Sequence, residues 1–153
     1  MRYIALLLIP VLLLPTTLAH AKSDERLTTK VPCMGTALCI NEKVVRIIDG
    51  DTIYLKNHNK VRLSLTDTPE VKQKGFKEAT SFTKKLCPPG SIVTVDQDDK
   101  QPYDRYKRVL AKVICSGKIL NAELLDNGHA KISKYFCSKS EFAKEYWAIK
   151  HGC

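Results

Sequence analysis

Residues 44–70, VVRIIDGDTIYLKNHNKVRLSLTDTPE, decide the fold. A largely apolar run at 44–48 is followed by two stretches, 51–55 and 61–65, in which apolar and polar residues alternate. Asp-Gly and Asn-His-Asn separate these runs, and Asp-Gly tolerates the positive φ angles that a tight hairpin turn needs. The pattern therefore predicts three short strands joined by two turns.

Polar side chains stand where these strands begin and end. Asp51 opens the second strand, and Arg62 lies in the third strand on the face opposite its apolar residues. Asp67, Thr68 and Glu70 follow just after the third strand. We interpret these three carboxylates and one arginine as a candidate site. The alternative is a set of ordinary turns and a surface arginine, because Asp-Gly and Asp-Thr-Pro sequences also form turns elsewhere.

Length and charge limit the class of protein. A chain of 153 residues suffices for one domain with a hydrophobic core and is short for two. Its formal net charge is +9, which favours polyanionic partners such as DNA, RNA or an anionic membrane surface. The alternative is that the charge serves solubility alone, since many small secreted proteins are basic. We expect a monomer.

Residues 1–21 have the three parts of an export signal. Arg2 is a short positive region, residues 4–14 are almost entirely apolar, and Ala19 and Ala21 supply the small side chains that signal peptidase reads. Cleavage after Ala21 would produce a secreted or extracytoplasmic protein without a stable membrane partner. The alternative is a protein anchored by an uncleaved segment, because the apolar stretch approaches the length of a membrane span.

The rest of the chain divides into an arm and a domain. Residues 22–43 have no sustained periodicity, and we interpret them as a loose arm before a domain of residues 44–153. Apolar residues at helical spacing predict a first helix over 76–87. Further patterns predict strands at 91–96 and 108–115, a short helix over 121–125 capped by Asn121, and an extended piece at 129–132.

A last helix is expected near the end of the chain. Residues 138–141, Ser-Lys-Ser-Glu, have the pattern of a capping box. Phe142, Tyr146 and Ile149 follow at helical spacing and predict the apolar stripe of this helix. The predicted order is thus three strands, a helix, two strands and two helices.

Several short sequences, in their order and spacing, resemble the thermonuclease (staphylococcal nuclease) family. They are Ile-Asp-Gly-Asp-Thr at 48–52, Val-Arg-Leu at 61–63, Asp-Thr-Pro-Glu at 67–70 and Asp-Arg-Tyr-Lys-Arg at 104–108. The resemblance extends over residues 44–147. It implies an α+β fold, an OB-type five-stranded β-barrel with three helices, and this agrees with the predicted order of elements.

The resemblance also implies a Ca²⁺ site. Asp51 and Asp67 match the family's calcium ligands, together with the main-chain oxygen of Thr68. Hard oxygen ligands, with waters completing the shell, suit Ca²⁺. Asp49 matches an acidic residue of the family near the metal, and we expect it to tune the site or to serve the turn.

Catalytic and substrate-binding roles are implied in the same way. Glu70 matches the residue that orients or deprotonates the attacking water. Arg62 and Arg108 match the two arginines that grip the phosphate, where a planar fork of donors can hold two phosphoryl oxygens at once. Arg105 and Tyr106 match a basic residue and a tyrosine that flank a terminal phosphate of the bound nucleotide.

The function expected from the resemblance is that of a secreted, Ca²⁺-dependent endonuclease that hydrolyses DNA and RNA with little base specificity and leaves 3′-phosphates. Tyr135 and Phe136 fall near a family stretch whose tyrosines pack on the base, which suits single strands and unpaired ends. One alternative is a nucleic-acid-binding module of the same fold that lacks catalysis, although Arg62, Glu70 and Arg108 are all present. Another is a disulfide-rich adhesive or envelope protein, which would leave the acidic group unexplained.

All six cysteines follow the predicted signal, and an even number after an export signal favours disulfides formed in an oxidising compartment. Cys87 ends the predicted first helix and Cys115 ends the predicted fifth strand, and both elements should meet over the barrel core. We therefore expect these two to pair. Cys33 and Cys39 are then left to each other in the arm.

The remaining pair would tie down the last helix. A bond between Cys137 and Cys153 requires the end of the chain to fold back, because a helix extended to the last residue would hold the two sulfurs too far apart. Gly152 could supply that reversal. The alternative is that Cys153 reaches a different partner.

Overall fold

The computed structural model describes residues 33–57 and 59–153. The export signal predicted for residues 1–21, and with it the predicted localisation, lies outside the described residues. Within the described part of the chain, no helix is both long enough and apolar enough to cross a membrane.

The strands form a closed barrel. Six of them lie in one sheet in the order β3-β2-β1-β5-β6-β7, and β4 pairs with β8 separately. Strands β3 and β6 also pair in parallel, which joins the two edges of the sheet and closes five strands into the barrel. This α+β architecture confirms the predicted OB-type fold. The strands are β1 (Cys39–Ile47), β2 (Thr52–Leu55), β3 (Lys60–Leu63), β4 (Thr66–Asp67), β5 (Ile92–Gln97), β6 (Val109–Cys115), β7 (Lys118–Ile119) and β8 (Lys131–Ile132).

Two strand limits differ from the sequence prediction. β1 begins at Cys39 rather than at residue 44, and residues 39–43 pair antiparallel with β5, so they belong to the barrel and not to a loose arm. The third strand ends at Leu63 rather than at Leu65, because Leu65 has a positive φ of 60° and turns the chain towards β4. The first difference comes from backbone pairing and the second from backbone conformation, and a hydrophobic pattern reports neither.

In the described part of the chain, three α-helices and two short 3₁₀ helices surround the barrel. The 3₁₀ helices cover Lys134–Lys139 and Glu141–Lys144. The α-helices are α1 (Phe76–Leu86), α2 (Leu120–Asp126) and α3 (Tyr146–Lys150). Glycine at 128 has a positive φ just past α2, as a helix C-terminus often requires.

The predicted cap at Asn121 is wrong. Helix α2 begins one residue earlier, and Asn121 lies inside it with its side chain completely buried. Its amide Nδ2 donates to the carbonyl of Ser64 (2.9 Å), and its Oδ1 accepts from the N–H of Val113 (3.0 Å). The residue therefore fastens α2 to the barrel instead of starting the helix.

The predicted last helix is broken into two pieces. Glu145 is extended (φ −72°, ψ 147°) and separates the second 3₁₀ helix from α3. Ser140, and not Ser138, is the cap, since its Oγ accepts from the N–H of Phe142 at 3.2 Å. The break turns the apolar face of the segment. Phe142 is buried as predicted, but Tyr146 and Ile149 are exposed and Trp147 and Ala148 are buried in their place.

Disulfides join the elements in the expected pattern. The pairs are Cys33–Cys39, Cys87–Cys115 and Cys137–Cys153. Gly152 has a φ of +110° and reverses the chain end, so that the Cα atoms of Cys137 and Cys153 are 5.4 Å apart. All three predicted pairings are confirmed.

Candidate active site

The turn that carries Asp51 is held against helix α1. The hydroxyl of Thr83, on α1, donates to the carbonyl of Gly50 at 2.5 Å. A Cβ atom added to Gly50 would lie 2.8 Å from the side chain of Thr68, so only glycine allows this close approach. The N–H of Asp51 donates to Oδ1 of Asp49 at 3.1 Å and tightens the turn.

The carboxylate of Asp51 is buried, with 5% of the side chain exposed. Its Oδ2 accepts from both the N–H and the hydroxyl of Thr68, each at 2.7 Å, and lies 2.5 Å from Nη1 of Arg62. Burial raises the pKa of Asp51 and the charge of Asp49 adds to this rise, while Arg62 and the Thr68 hydrogen bonds act against it.

Arg62 connects the buried carboxylate to an exposed one. The turn at Leu65 brings β4 back beside β3, where Nη1 of Arg62 donates to the carbonyl of Thr66 at 2.7 Å and Nη2 donates to Oδ1 of Asp67 at 2.9 Å. The side chain of Asp67 is 57% exposed. One guanidinium thus pairs with two carboxylates, one from the turn before β2 and one from β4.

These contacts allow a test of the expected calcium ligands. Within residues 33–57 and 59–153, no three side chains of the His, Cys, Asp and Glu types are grouped as a metal site. Asp51 and Asp67 nevertheless converge on one cation, the guanidinium of Arg62, and Thr68 is bonded to Asp51. Two carboxylates and a carbonyl are hard oxygen donors of the type that Ca²⁺ takes, with water for the rest of its shell. The donor chemistry therefore fits Ca²⁺.

Arg108 is positioned by Asp104. Its Nε donates to Oδ2 of Asp104 at 2.6 Å, its main-chain N–H donates to Oδ1 of the same carboxylate at 2.9 Å, and its Nη1 lies 3.3 Å from the hydroxyl of Thr52. Burial acts to raise the pKa of Asp104, but the hydrogen bonds from Arg108 and from the Tyr106 N–H outweigh it and hold that pKa below its usual range. The carboxylate of Asp104 is therefore ionised at neutral pH.

A cleft of about 890 Å³ collects the predicted catalytic side chains. Arg62, Glu70 and Arg108 all line it, as do the four predicted substrate contacts. Glu70 is exposed, and its main-chain N–H is tied down by a 2.8 Å hydrogen bond to the side chain of Gln73. Both arginines and the carboxylate thus line the same cleft.

Aromatic rings form one wall of this cleft. The rings of Tyr135 and Phe136 meet edge to face with 5.0 Å between their centroids, and Nζ of Lys139 lies 3.8 Å from the centroid of Tyr135. A hydrogen bond from Lys139, with its positive charge, lowers the pKa of Tyr135. Tyr106 is 64% exposed and carries the guanidinium of Arg105 at 4.7 Å from its ring centroid. Exposed rings flanked by cations are suited to unpaired bases and their phosphates.

Comparison with known proteins identifies the family of the chain. The family model described as staphylococcal nuclease homologue matches residues 60–151. The chain belongs to this family. It is 35% identical over 102 residues to a thermonuclease from Staphylococcus hyicus (61% of this chain, 59% of that protein). It is 33% identical over 130 residues to endonuclease YhcR from Bacillus subtilis (strain 168), which covers 74% of this chain and 11% of that protein. It is 30% identical over 137 residues to endonuclease YncB from the same organism, which covers 83% of this chain and 58% of that protein.

These nuclease-family relatives are longer proteins. The chain spans between 11% and 59% of the length of the three relatives named above. The resemblance noted in the sequence is confirmed by the family match, and the shared region includes Arg62, Glu70 and Arg108.

Sequence reasoning missed two residues of this nuclease-family site. Asp104 aims Arg108, and Lys139 lies over the ring of Tyr135. In both pairs the partner is four positions away in the sequence, a spacing that brings side chains together wherever the chain coils. The tight turn at 104–108 and the 3₁₀ helix Lys134–Lys139 bring these pairs together, and neither element was predicted.

Proposed function

We propose that this chain is a nuclease, a phosphodiester hydrolase acting on DNA and RNA. The observation that carries the proposal is the convergence of Arg62, Arg108 and Glu70 on one cleft, with Arg62 also in contact with Asp51 and Asp67. The relatives named thermonuclease and endonuclease support the same class of reaction.

The side chains divide the work of hydrolysis. Water attacks phosphorus and the bond from phosphorus to the 5′-oxygen breaks. One fragment keeps a 3′-phosphate, and the 5′-oxygen of the other takes a proton from solvent and leaves as a hydroxyl. Glu70 is exposed in the cleft and accepts the proton of the attacking water. The guanidinium groups of Arg62 and Arg108 donate to the phosphoryl oxygens, where negative charge grows in the transition state.

A bound Ca²⁺ would be held by Asp51, Asp67 and the main-chain oxygen of Thr68, and it supplies charge stabilisation and a water-binding position. Three carboxylates and two arginines alone leave the site with a net negative charge, which disfavours a phosphodiester. A divalent cation reverses that sign. Arg62, which pairs with both aspartates in this structure, would then keep its donors for phosphate oxygens.

The first prediction is that cleavage depends on calcium. Plasmid DNA and purified RNA should both be degraded in Ca²⁺ and left intact with a chelator. Mg²⁺ should support cleavage poorly, because it demands a smaller octahedral shell than this donor set is built to give. Gel analysis of the products checks this, and 3′-phosphate ends should be found by labelling. Full activity in chelator would reject the metal role.

The second prediction separates the roles of the side chains. Glu70→Gln and Arg108→Lys should each lower kcat by about a hundredfold or more, the range for losing a general base or a transition-state donor. Asp51→Asn should instead weaken Ca²⁺ binding, measured by calorimetry. The melting temperature controls for folding. If Glu70→Gln kept normal turnover, Glu70 would not be the base, and if the parent bound nucleic acid without cutting it, the chain would be a binding module.

We also propose an extracytoplasmic location. All six cysteines of the chain form disulfides, which persist in oxidising compartments and rarely in the cytosol. Protease accessibility of the protein on intact cells, or its recovery from the medium, tests this.

A further inference from the structure

A second cleft, of about 510 Å³, lies beside the proposed catalytic cleft. Residues 66–70 form the ridge between them, since Thr66 and Glu70 line the first cleft while Asp67 and Thr68 line the second. The candidate metal ligands and the candidate base therefore stand between two concave surfaces. A nucleic-acid strand that crosses the ridge would enter one cleft on each side of it.

Two lysines give the second cleft its charge. Lys74 comes from the loop before α1, and Lys131 lies in β8, directly opposite Asp67 in the β4–β8 pair. Asp67 is engaged by Arg62, and neither lysine has an ion-pair partner within the described residues. Two exposed, unneutralised ammonium groups in a concave surface attract an anion.

An imidazole ring completes this surface. His129 lines the second cleft and its ring packs on Phe82, with 4.5 Å between the ring centroids. The contact with helix α1 holds the ring in place. Cations beside a fixed ring are the combination that proteins use for unpaired nucleotides, in which the phosphate meets the charge and the base meets the ring.

We propose that the second cleft binds the nucleic-acid strand on the far side of the bond that is cut, with Lys74 and Lys131 on its backbone phosphates. This rests on the proposed function and deepens it. The aromatic wall of the first cleft serves the nucleotides on one side of the scissile phosphate. A nucleic-acid strand that is cut internally must also continue from the ridge away from the first cleft. The second cleft adjoins the ridge on that side.

The experiment compares the Lys74→Ala/Lys131→Ala double variant with the parent on two substrates, a thymidine dinucleotide and a long single-stranded oligothymidylate. A thymidine dinucleotide has one internucleotide phosphate, the one that is cut, so it places no backbone phosphate in the second cleft. The matched control is Lys84→Ala/Lys85→Ala, which removes two exposed lysines at the end of α1 that line neither cleft. All lysines concerned are exposed, and melting temperatures verify that each variant folds.

The double variant should raise KM for the long strand by roughly tenfold and leave kcat unchanged. The slope of log affinity against log salt should become shallower by about 1.4, since two phosphate contacts on a single strand, at about 0.7 each, no longer release counterions. The double variant should cleave the dinucleotide with the kinetics of the parent. The control variant should match the parent on both substrates. An unchanged KM on the long strand, or an equal rise on the dinucleotide, would overturn the proposal.

Binding separates this failure from a failure of the proposed function. Fluorescein-labelled oligothymidylate is titrated with the same lysine variants in a Glu70→Gln background, and anisotropy reports affinity without cleavage. If the parent cuts nothing, the proposed function fails, and a weaker affinity of the double variant still supports the cleft. If the parent cuts and both variants bind equally, the cleft assignment fails alone.

Discussion

Arg108 enters the proposed site in a direction set by one carboxylate, that of Asp104. The Nε of Arg108 donates to Oδ2 of Asp104 at 2.6 Å, while Oδ1 accepts the main-chain N–H groups of Tyr106 and Arg108. Asp104→Asn separates these functions. It keeps the oxygen that the backbone of the turn needs, and it places an amide donor against the Nε donor of Arg108.

The size of the effect follows from this one contact. A hydrogen bond between charged groups contributes about 1.5–3 kcal/mol. The side chains of Arg108 and Asp104 are 26% and 14% exposed, so screening by water reduces this to about 1–2 kcal/mol. If the bond aims the guanidinium at the phosphate, its loss lowers kcat by roughly five- to thirtyfold. KM should stay level or fall, since a negative charge leaves the cleft.

Steady-state kinetics on oligothymidylate, with urea unfolding in parallel, checks this prediction. The matched control is Asp126→Asn, which breaks a carboxylate pair with Lys150 and His151 away from either cleft. The control should lose stability and keep its kcat. A normal kcat in Asp104→Asn would refute the positioning role.

The pH dependence has a definite sign. The pKa of Asp104 is lower in the folded than in the unfolded protein, so its ionisation stabilises the fold above the ordinary carboxyl pKa of about 3.9. That stability is lost as the pH falls through the depressed folded pKa. The deficit of Asp104→Asn in urea should therefore be full at neutral pH and should shrink in acid.

Two further changes test the supports of the site. Gly50→Ala places a Cβ 2.8 Å from Thr68, so it should lower both the melting temperature and the affinity for Ca²⁺; unchanged values would show that the turn is not packed this way. Replacing Cys137 and Cys153 by Ser removes a loop closure of roughly 3 kcal/mol, which should lower the melting temperature by about 10 °C and leave calcium dependence intact; calorimetry and digestion assays measure both.

The sequence sufficed for the barrel and for the candidate catalytic group because both are encoded locally. Alternation marks the strands, and Asp51, Arg62 and Glu70 lie within the hairpin region that defines them. What it could not supply is the partner of each side chain. The contacts of Arg62 with two carboxylates depend on the positive φ of Leu65, and a leucine in the sequence does not predict such a φ.

The prediction of one continuous last helix was wrong because of tertiary contacts. Its 3.6-residue pattern holds locally, but the carboxylate of Glu145 accepts from the buried ammonium of Lys112 and from the indole N–H of Trp147, both at 2.6 Å. Lys112 is 2% exposed and also pairs with Asp96. Burying the ammonium of Lys112 without these partners would cost folding free energy. The ion pair with Glu145 therefore outweighs the helical preference of the segment.

The proposed catalytic residues and the proposed base-binding residues lie in different parts of this fold. Arg62 lies in β3, and Arg108 directly precedes β6, the two strands whose parallel pairing closes the barrel. The two arginines proposed to bind phosphate are therefore brought together only when the barrel is complete. The rings of Tyr135 and Phe136 lie instead on the 3₁₀ helix Lys134–Lys139, outside the barrel.

That 3₁₀ helix is tied to the chain end through Cys137–Cys153. Loss of the disulfide frees the aromatic wall and leaves β3 and β6 paired. Its removal should therefore raise KM for single strands while kcat stays near that of the parent, and a fall in kcat alone would mean that the wall and the arginines form one unit.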